Sequence, residues 1–475
     1  MSLRYKAISS VVWNSIGNYI RVIFNFVGQL ILVRLLVPDD FGIYAFVVAI
    51  LEFFSFLIGW NFPLGVIQMP EDDELSDTAF VLTIVQSVLY MLFFLIVGLV
   101  LVYASKSRIA FILFFIALSY SLGPISQMFV AGMQKKLNFK NYSIANTASG
   151  IGSIVIAVAL AFFGFGLWSL VARDVLYALF SMVSFKLISH FTFKWRFNNQ
   201  HARNLCLFTG KIFINRWLEG VVSKLDILLG GILLVPAKLG FYSQGKYLIS
   251  LPSVALAPAM GTTLFSVYST IQCDEAKLRE TNKFMNYFLL RAIIPITLLF
   301  FIFPDFIVTV LFGEKWRGSI DIVKWLAFYP LVSVLFENQK LLLQSKGIVE
   351  KPIWVLAIQG LVSVILILLG NHYLGFEGIA IGFLVSSVIG YIYICCYSKN
   401  YIASALKEYV VPVLLTLLIY LVIALIKAST TSSPLLTIGL MLLFVLLYSI
   451  LLVIFERKVF FERIKYIVNG LFNKA

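Results

Sequence analysis

The stretch LLVPDDFGIY, Leu35 to Tyr44, returns about 200 residues later as LLVPAKLGFY, Leu233 to Tyr242, with Leu-Leu-Val-Pro, the Gly and the Tyr in register. Pro38 disfavours helix at Val37 and ends one apolar segment, and Gly42 relieves crowding where the next begins. Tyr44 is read at interface depth, where an amphipathic ring is stable. Asp39 and Asp40 suit a helix start, but the second copy has Ala237 and Lys238 there. What is repeated is therefore the shape of a hairpin, not its cap.

The segments on either side set the fold class. A chain of 475 residues that is 61% hydrophobic and 13% charged, with a mean hydropathy of +0.96, has too much apolar surface for a water-soluble core. Its apolar runs are long enough to span hydrocarbon and are closed by clusters of Pro, Gly, Asn and charge, giving about 14 spans. Their all-round apolarity predicts helices, not barrel strands. Lys and Arg gather in the connections that lie inside when the N-terminus is inside, which also places the C-terminus there. The acidic EDDE, Glu71 to Glu74, and the basic SKSR around Lys106 and Arg108 run against that pattern. The net charge of +14 is accounted for by topology and anionic lipid, so nucleic acid is not an expected partner.

A second echo joins Gln134, Lys136 and Gly150 to Gln344, Lys346 and Gly360, and the GFG at Gly164 to the GFEG at Gly375. Two sets of matches in one order predict duplicated six-span modules, and an even span number relates them by a pseudo-two-fold axis along the membrane normal. The expected domains are 1–188 and 206–397 for the modules, 189–205 for an interfacial linker, 398–455 for two extra spans and 456–475 for a basic amphipathic tail on the inner leaflet.

Polar residues within the spans locate the chemistry. Asn14, Asn18, Arg21, Asn25 and Gly28 or Gln29 recur at intervals of three and four in the first span. Lys211, Asn215, Glu219, Ser223 and Asp226 do so in the seventh, flanked by Arg216 and Lys224. A charge near the bilayer centre costs about 2.5–3.5 kcal/mol on the insertion scale, so six of them facing lipid would cost on the order of 15 kcal/mol. The stripes must face protein or water. One reading is a hydrated cavity, cationic on balance, that receives a phosphate or pyrophosphate. Its phosphate partners would be Arg21, Arg216, Lys211, Lys224 and Lys246, with Asn14, Asn18, Asn25 and Asn215 for sugar hydroxyls. Asp226, Glu219 and Asp174 are candidates for coupling a cation. The other reading is internal ion pairing, for example Arg173 with Asp174.

Enzymatic chemistry finds little support. The three histidines, His190, His201 and His372, are isolated, the four cysteines make no ligand or disulfide spacing, and the outer connections are short, so neither a metal site nor catalysis is expected.

The stretch LVRLLVPDDFGIYAF, Leu32 to Phe46, resembles the N-terminal signature of the polysaccharide transporter family, within the multidrug, oligosaccharidyl-lipid and polysaccharide exporter superfamily. The resemblance implies a MATE-like fold and a flippase carrying an undecaprenyl-pyrophosphate-linked oligosaccharide to the outer leaflet of a bacterial cytoplasmic membrane by alternating access. Polysaccharide polymerase and other assembly proteins are the partners it suggests. It implies no cofactor, and either the membrane potential or a coupling H+ or Na+ would drive transport. A multidrug or cation exporter and a peptidoglycan-precursor flippase are the competing readings; the first would favour acidic over cationic cavity residues.

Overall fold

The computed structural model describes residues 3–70, 72–104, 107–135, 138–189, 192–401, 414–415, 419–420 and 434–472, and for some helical residues, including Asn14, Lys211 and 457–472, the backbone alone. Among the described residues every regular element is helical. The chain divides into two compact units, Met1–Gln244 and Gly245–Ala475.

The first unit contains α1 (Leu3–Leu35), α2 (Pro38–Phe53), α3 (Phe62–Gln68), α4 (Asp73–Tyr103), α5 (Ser107–Lys135), α6 (Phe139–Phe162), α7 (Leu167–Ser189), α8 (Asn199–Leu233) and the first part of α9 (Pro236–Pro258). As expected, Pro38 and Pro236 each open a helix, where the missing N–H is no loss. Both proline turns meet in this unit. A Cβ on Gly42 would overlap the Pro236 carbonyl, and one on Gly240 would overlap that of Pro38. The two glycines thus serve each other: each lets the other turn's backbone approach to contact.

Val47, Leu51, Tyr90, Phe94, Ile112, Ile116 and Leu167 belong to one apolar cluster of its core, and Tyr90 adds a hydrogen bond from its hydroxyl to the Leu51 carbonyl at 3.2 Å. The second echo also marks turns that need positive-φ glycine. Gly164 and Gly166 between α6 and α7, and Gly375 in the second unit, all have positive φ, at 83°, 55° and 63°.

The acidic segment that disagreed with the charge pattern has a local purpose. Asp77 accepts the backbone N–H of Lys194 at 2.8 Å, Thr78 accepts that of Asn198 at 3.2 Å, and His201 lies 3.3 Å from Asp72. Phe193 stacks on Phe80 with centroids 4.5 Å apart. The segment at the start of α4 therefore binds the linker, and its carboxylates meet donors supplied by the chain itself.

The second unit contains the rest of α9, a π-helical turn (Ala259–Leu264), α10 (Phe265–Thr270), α11 (Glu275–Ile302), α12 (Pro304–Leu311), α13 (Ile320–Leu326), α14 (Tyr329–Ser345), α15 (Glu350–Leu374), α16 (Phe376–Ser398) and α17 (Pro434–Phe472). Gly370 and Gly378 hold α15 against α16 at backbone distance. A buried amide network joins α10, α11 and α14: Asn338 donates to Asn282 at 2.9 Å and to Asn286 at 2.7 Å, and Tyr268 donates to Asn338 at 2.9 Å. At its edge the Tyr401 phenol and the Glu275 carboxylate hold the Lys346 ammonium above its usual pKa.

Nine of the described helices are long and apolar enough to cross a membrane, or up to ten if the bent pair Glu314–Leu326 and Tyr329–Ser345 is one span. The expected seventh span, α8, is outside that set because its stripe carries too many charges. The expected thirteenth falls largely on residues outside those described, and the amphipathic pattern of the tail falls on side chains outside them.

Candidate functional site

Lipid cannot solvate a charge, so each ionisable group inside a span must find a partner, water or a ligand. The stripe on α1 does this in two ways. Arg21 donates to the Asn18 amide oxygen at 2.9 Å and lies over Gly150 of α6, with no carboxylate partner among the described residues. Asn25 is exposed. Two turns further along, Gln29 is buried in a closed network: it accepts from Arg173 Nη1 at 2.9 Å and donates to Gln244 of α9 at 3.0 Å. Arg173 also donates to Asp174 at 2.9 Å and to the Tyr44 hydroxyl at 2.8 Å, while that hydroxyl donates to the other oxygen of Asp174. Four helices, α1, α2, α7 and α9, are joined at this point.

Tyr44 therefore differs from its expected interfacial role, because its hydroxyl is claimed by an ion pair inside the unit. The equivalent tyrosine of the second turn behaves alike: Tyr242 donates to Asp226 at 2.6 Å, and both residues are fully buried. Asp174 and Asp226, ion-coupling candidates in the sequence, are thus the two carboxylates that receive the two repeated tyrosines.

Along α8, Asn215 is buried and its Oδ1 has no hydrogen-bond partner, Arg216 is exposed, and Glu219 and Lys224 are half-buried. The Lys211 side chain and that of Asn14 lie outside the described residues. Gly220 leaves room for the Glu52 carboxylate of α2, which also accepts from Tyr120 at 3.4 Å. In the second unit Lys246 is buried with its Nζ 3.9 Å from the Phe383 ring centroid. Arg291 is held by both carboxylate oxygens of Glu456, and Lys340 pairs with Glu337 at 2.6 Å. These two cations hold helices or turns in place.

Sequence reasoning missed Glu52, Gln244 and Glu456. Gln244 and Glu456 complete networks with partners 215 and 165 residues away in the chain, which no periodicity within one helix reveals. Glu52 was legible as a lone carboxylate in the second span.

Long apolar helices with hydrogen-bonded ionisable groups in their interiors define a polytopic membrane transport protein. The profile of a family described as "Polysaccharide biosynthesis protein" matches residues 31–321, more than half of the chain, and the chain belongs to that family, the polysaccharide transporters of the exporter superfamily named above. Among its relatives are the lipopolysaccharide biosynthesis protein WzxC of Escherichia coli, 24% identical over 82% of this chain and 80% of that protein, and the teichuronic acid biosynthesis protein TuaB of Bacillus subtilis, 20% identical over 73% and 72%. Of solved structures, the lipid II flippase MurJ in an inward closed conformation superposes with a TM-score of 0.73 at 15% identity, over 94% of this chain and 100% of that one. A multidrug MATE transporter in an inward-facing conformation superposes at 0.63 and 13%, over 82% and 96%. The fold is that of these transporters.

Proposed function

We propose that this protein is a flippase that moves an undecaprenyl-pyrophosphate-linked oligosaccharide from the cytoplasmic to the outer leaflet of a bacterial cytoplasmic membrane, supplying surface polysaccharide synthesis. It works by alternating access of two six-helix modules, with two further C-terminal helices bringing the spans to about 14 and both termini in the cytoplasm. It makes and breaks no covalent bond. The observation that carries this reading is Arg21, an intramembrane guanidinium without a carboxylate partner among the described residues.

An intramembrane cation in a family of polysaccharide transporters calls for an anion on the cargo, and a pyrophosphate offers the bidentate geometry a guanidinium favours. Arg216, Lys211 and Lys224 supply further positive charge, and Asn18, Asn25 and Asn215 supply amides for sugar hydroxyls. The inside-negative potential assists outward movement by about 2.3 kcal/mol per charge per 100 mV, so a doubly charged pyrophosphate gains roughly 4–5 kcal/mol at that voltage. Asp174, Glu219 and Asp226 are the carboxylates we propose for coupling a cation.

Surface glycan and membrane protein level, measured together in cells carrying Arg21→Ala, test the proposal. The expected result is at least a tenfold loss of glycan at an unchanged protein level, with Arg21→Lys intermediate. Wild-type export by Arg21→Ala would remove Arg21 as the phosphate partner.

A further inference from the structure

Beside Arg21, the helices α6 and α7 carry more hydrogen-bonding capacity than they use. Tyr177 donates to Asn146 Oδ1 at 2.8 Å, and Asn146 Nδ2 makes a long 3.4 Å bond to the Tyr142 hydroxyl. The Tyr142 hydroxyl has no acceptor for its own proton among the described residues, and the second amide hydrogen of Asn146 is likewise unspent. One turn to either side, the hydroxyls of Ser143 and Ser149 are buried, with their residues 5% and 3% exposed, and have no hydrogen-bond partner. The Tyr142 ring is braced against Phe185 with centroids 5.6 Å apart, and its phenol lies within range of the Arg21 charge. Arg21 itself rests on Gly150 of the same helix.

A buried polar atom without a partner costs about 1–3 kcal/mol, and lipid supplies none. A purely structural network would close its bonds, as the one around Arg173 does. Here a cation without a carboxylate partner, a phenol proton, an amide hydrogen and two hydroxyls remain unspent along α1 and α6 among the described residues. We infer that Tyr142, Asn146 and Tyr177, beside Arg21, form a subsite for the hydroxyl-rich sugar nearest the pyrophosphate. Arg21 takes the phosphate, the amide and phenols take sugar hydroxyls, and the Tyr142 ring offers an apolar face to the pyranose. This rests on the transport reading above and adds to it residues that discriminate the cargo by its sugar.

The test titrates the full-length protein in nanodiscs with two lipids: undecaprenyl pyrophosphate without sugar, and the lipid-linked glycan fraction that accumulates in cells lacking this protein. Two hydrogen bonds at about 0.5–1.5 kcal/mol each predict that the wild type binds the glycan-bearing lipid roughly 5- to 150-fold more tightly. In Asn146→Leu, and separately in Tyr142→Phe and Tyr177→Phe, that ratio should fall towards one while affinity for the bare lipid is retained, which also shows that the variants are folded. Arg21→Ala should weaken both lipids alike. An unchanged ratio in the three variants, an equal loss of both lipids, or a wild type that binds both lipids equally overturns the subsite. A wild type that binds neither lipid overturns the transport reading, and the subsite with it.

Discussion

The turn at Leu35–Tyr44 and its copy at Leu233–Tyr242 share a backbone and differ in their electrostatics. In both, proline starts the helix, glycine admits the other turn and the tyrosine hydroxyl donates a hydrogen bond to a carboxylate. In the first copy that carboxylate, Asp174, is shared with Arg173 and reached through Gln29 and Gln244; in the second, Asp226 is fully buried on the helix that leads into the turn. The two turns share the joint and differ in their polar settings.

The joint itself should break most severely. Gly42→Val or Gly240→Val places a branched side chain on the facing carbonyl, and overpacking of this kind costs about 3 kcal/mol or more. Neither variant is expected to give a monodisperse peak in detergent, while Gly439→Val, at an open position, should behave as wild type. If Gly42→Val is monodisperse and as heat-stable as the parent, the crossing is not needed for folding. Next in size is Arg173→Ala, which leaves Asp174 without its cation and should lower stability by about 3 kcal/mol. Arg173→Ala with Asp174→Asn should recover much of that loss in thermal unfolding, and no recovery would refute the pairing as the cause.

Smaller effects sharpen the likeness between the copies. Tyr44→Phe and Tyr242→Phe each remove a phenol from a carboxylate and should each cost about 1 kcal/mol by the same measurement. The difference in sequence between the turns should matter least. Asp39 and Lys238 are both exposed, and Asp39→Ala or Lys238→Ala is expected to shift stability by less than about 0.5 kcal/mol. A larger loss at Asp39 would mean that its charge supports the start of α2.

What sequence could read here follows from range. Pro38, Pro236 and the left-handed glycines act on their own neighbours, so the turns and the helices they bound were legible in advance. The stripe of Asn18, Arg21 and Asn25 was legible too, because periodicity is a property of one helix. Its division into an unsatisfied end at Arg21 and a closed end at Gln29 was not, since that depends on Arg173 and Gln244 arriving from elsewhere. EDDE looks like a misplaced charge for the same reason: His201, which faces Asp72 and Glu74, lies more than 100 residues downstream.

The clasp of Arg291 by Glu456 also has a consequence for biosynthesis. The two residues are 165 positions apart, and at about 5–20 residues per second the ribosome delivers the carboxylate roughly 10–30 s after the guanidinium. For that interval α11 enters the bilayer with its cation uncompensated. Lipid phosphate or the insertion machinery must hold it until α17 is made, and a ribosome that stalls before residue 456 strands a nascent chain that has no means of neutralising this charge itself.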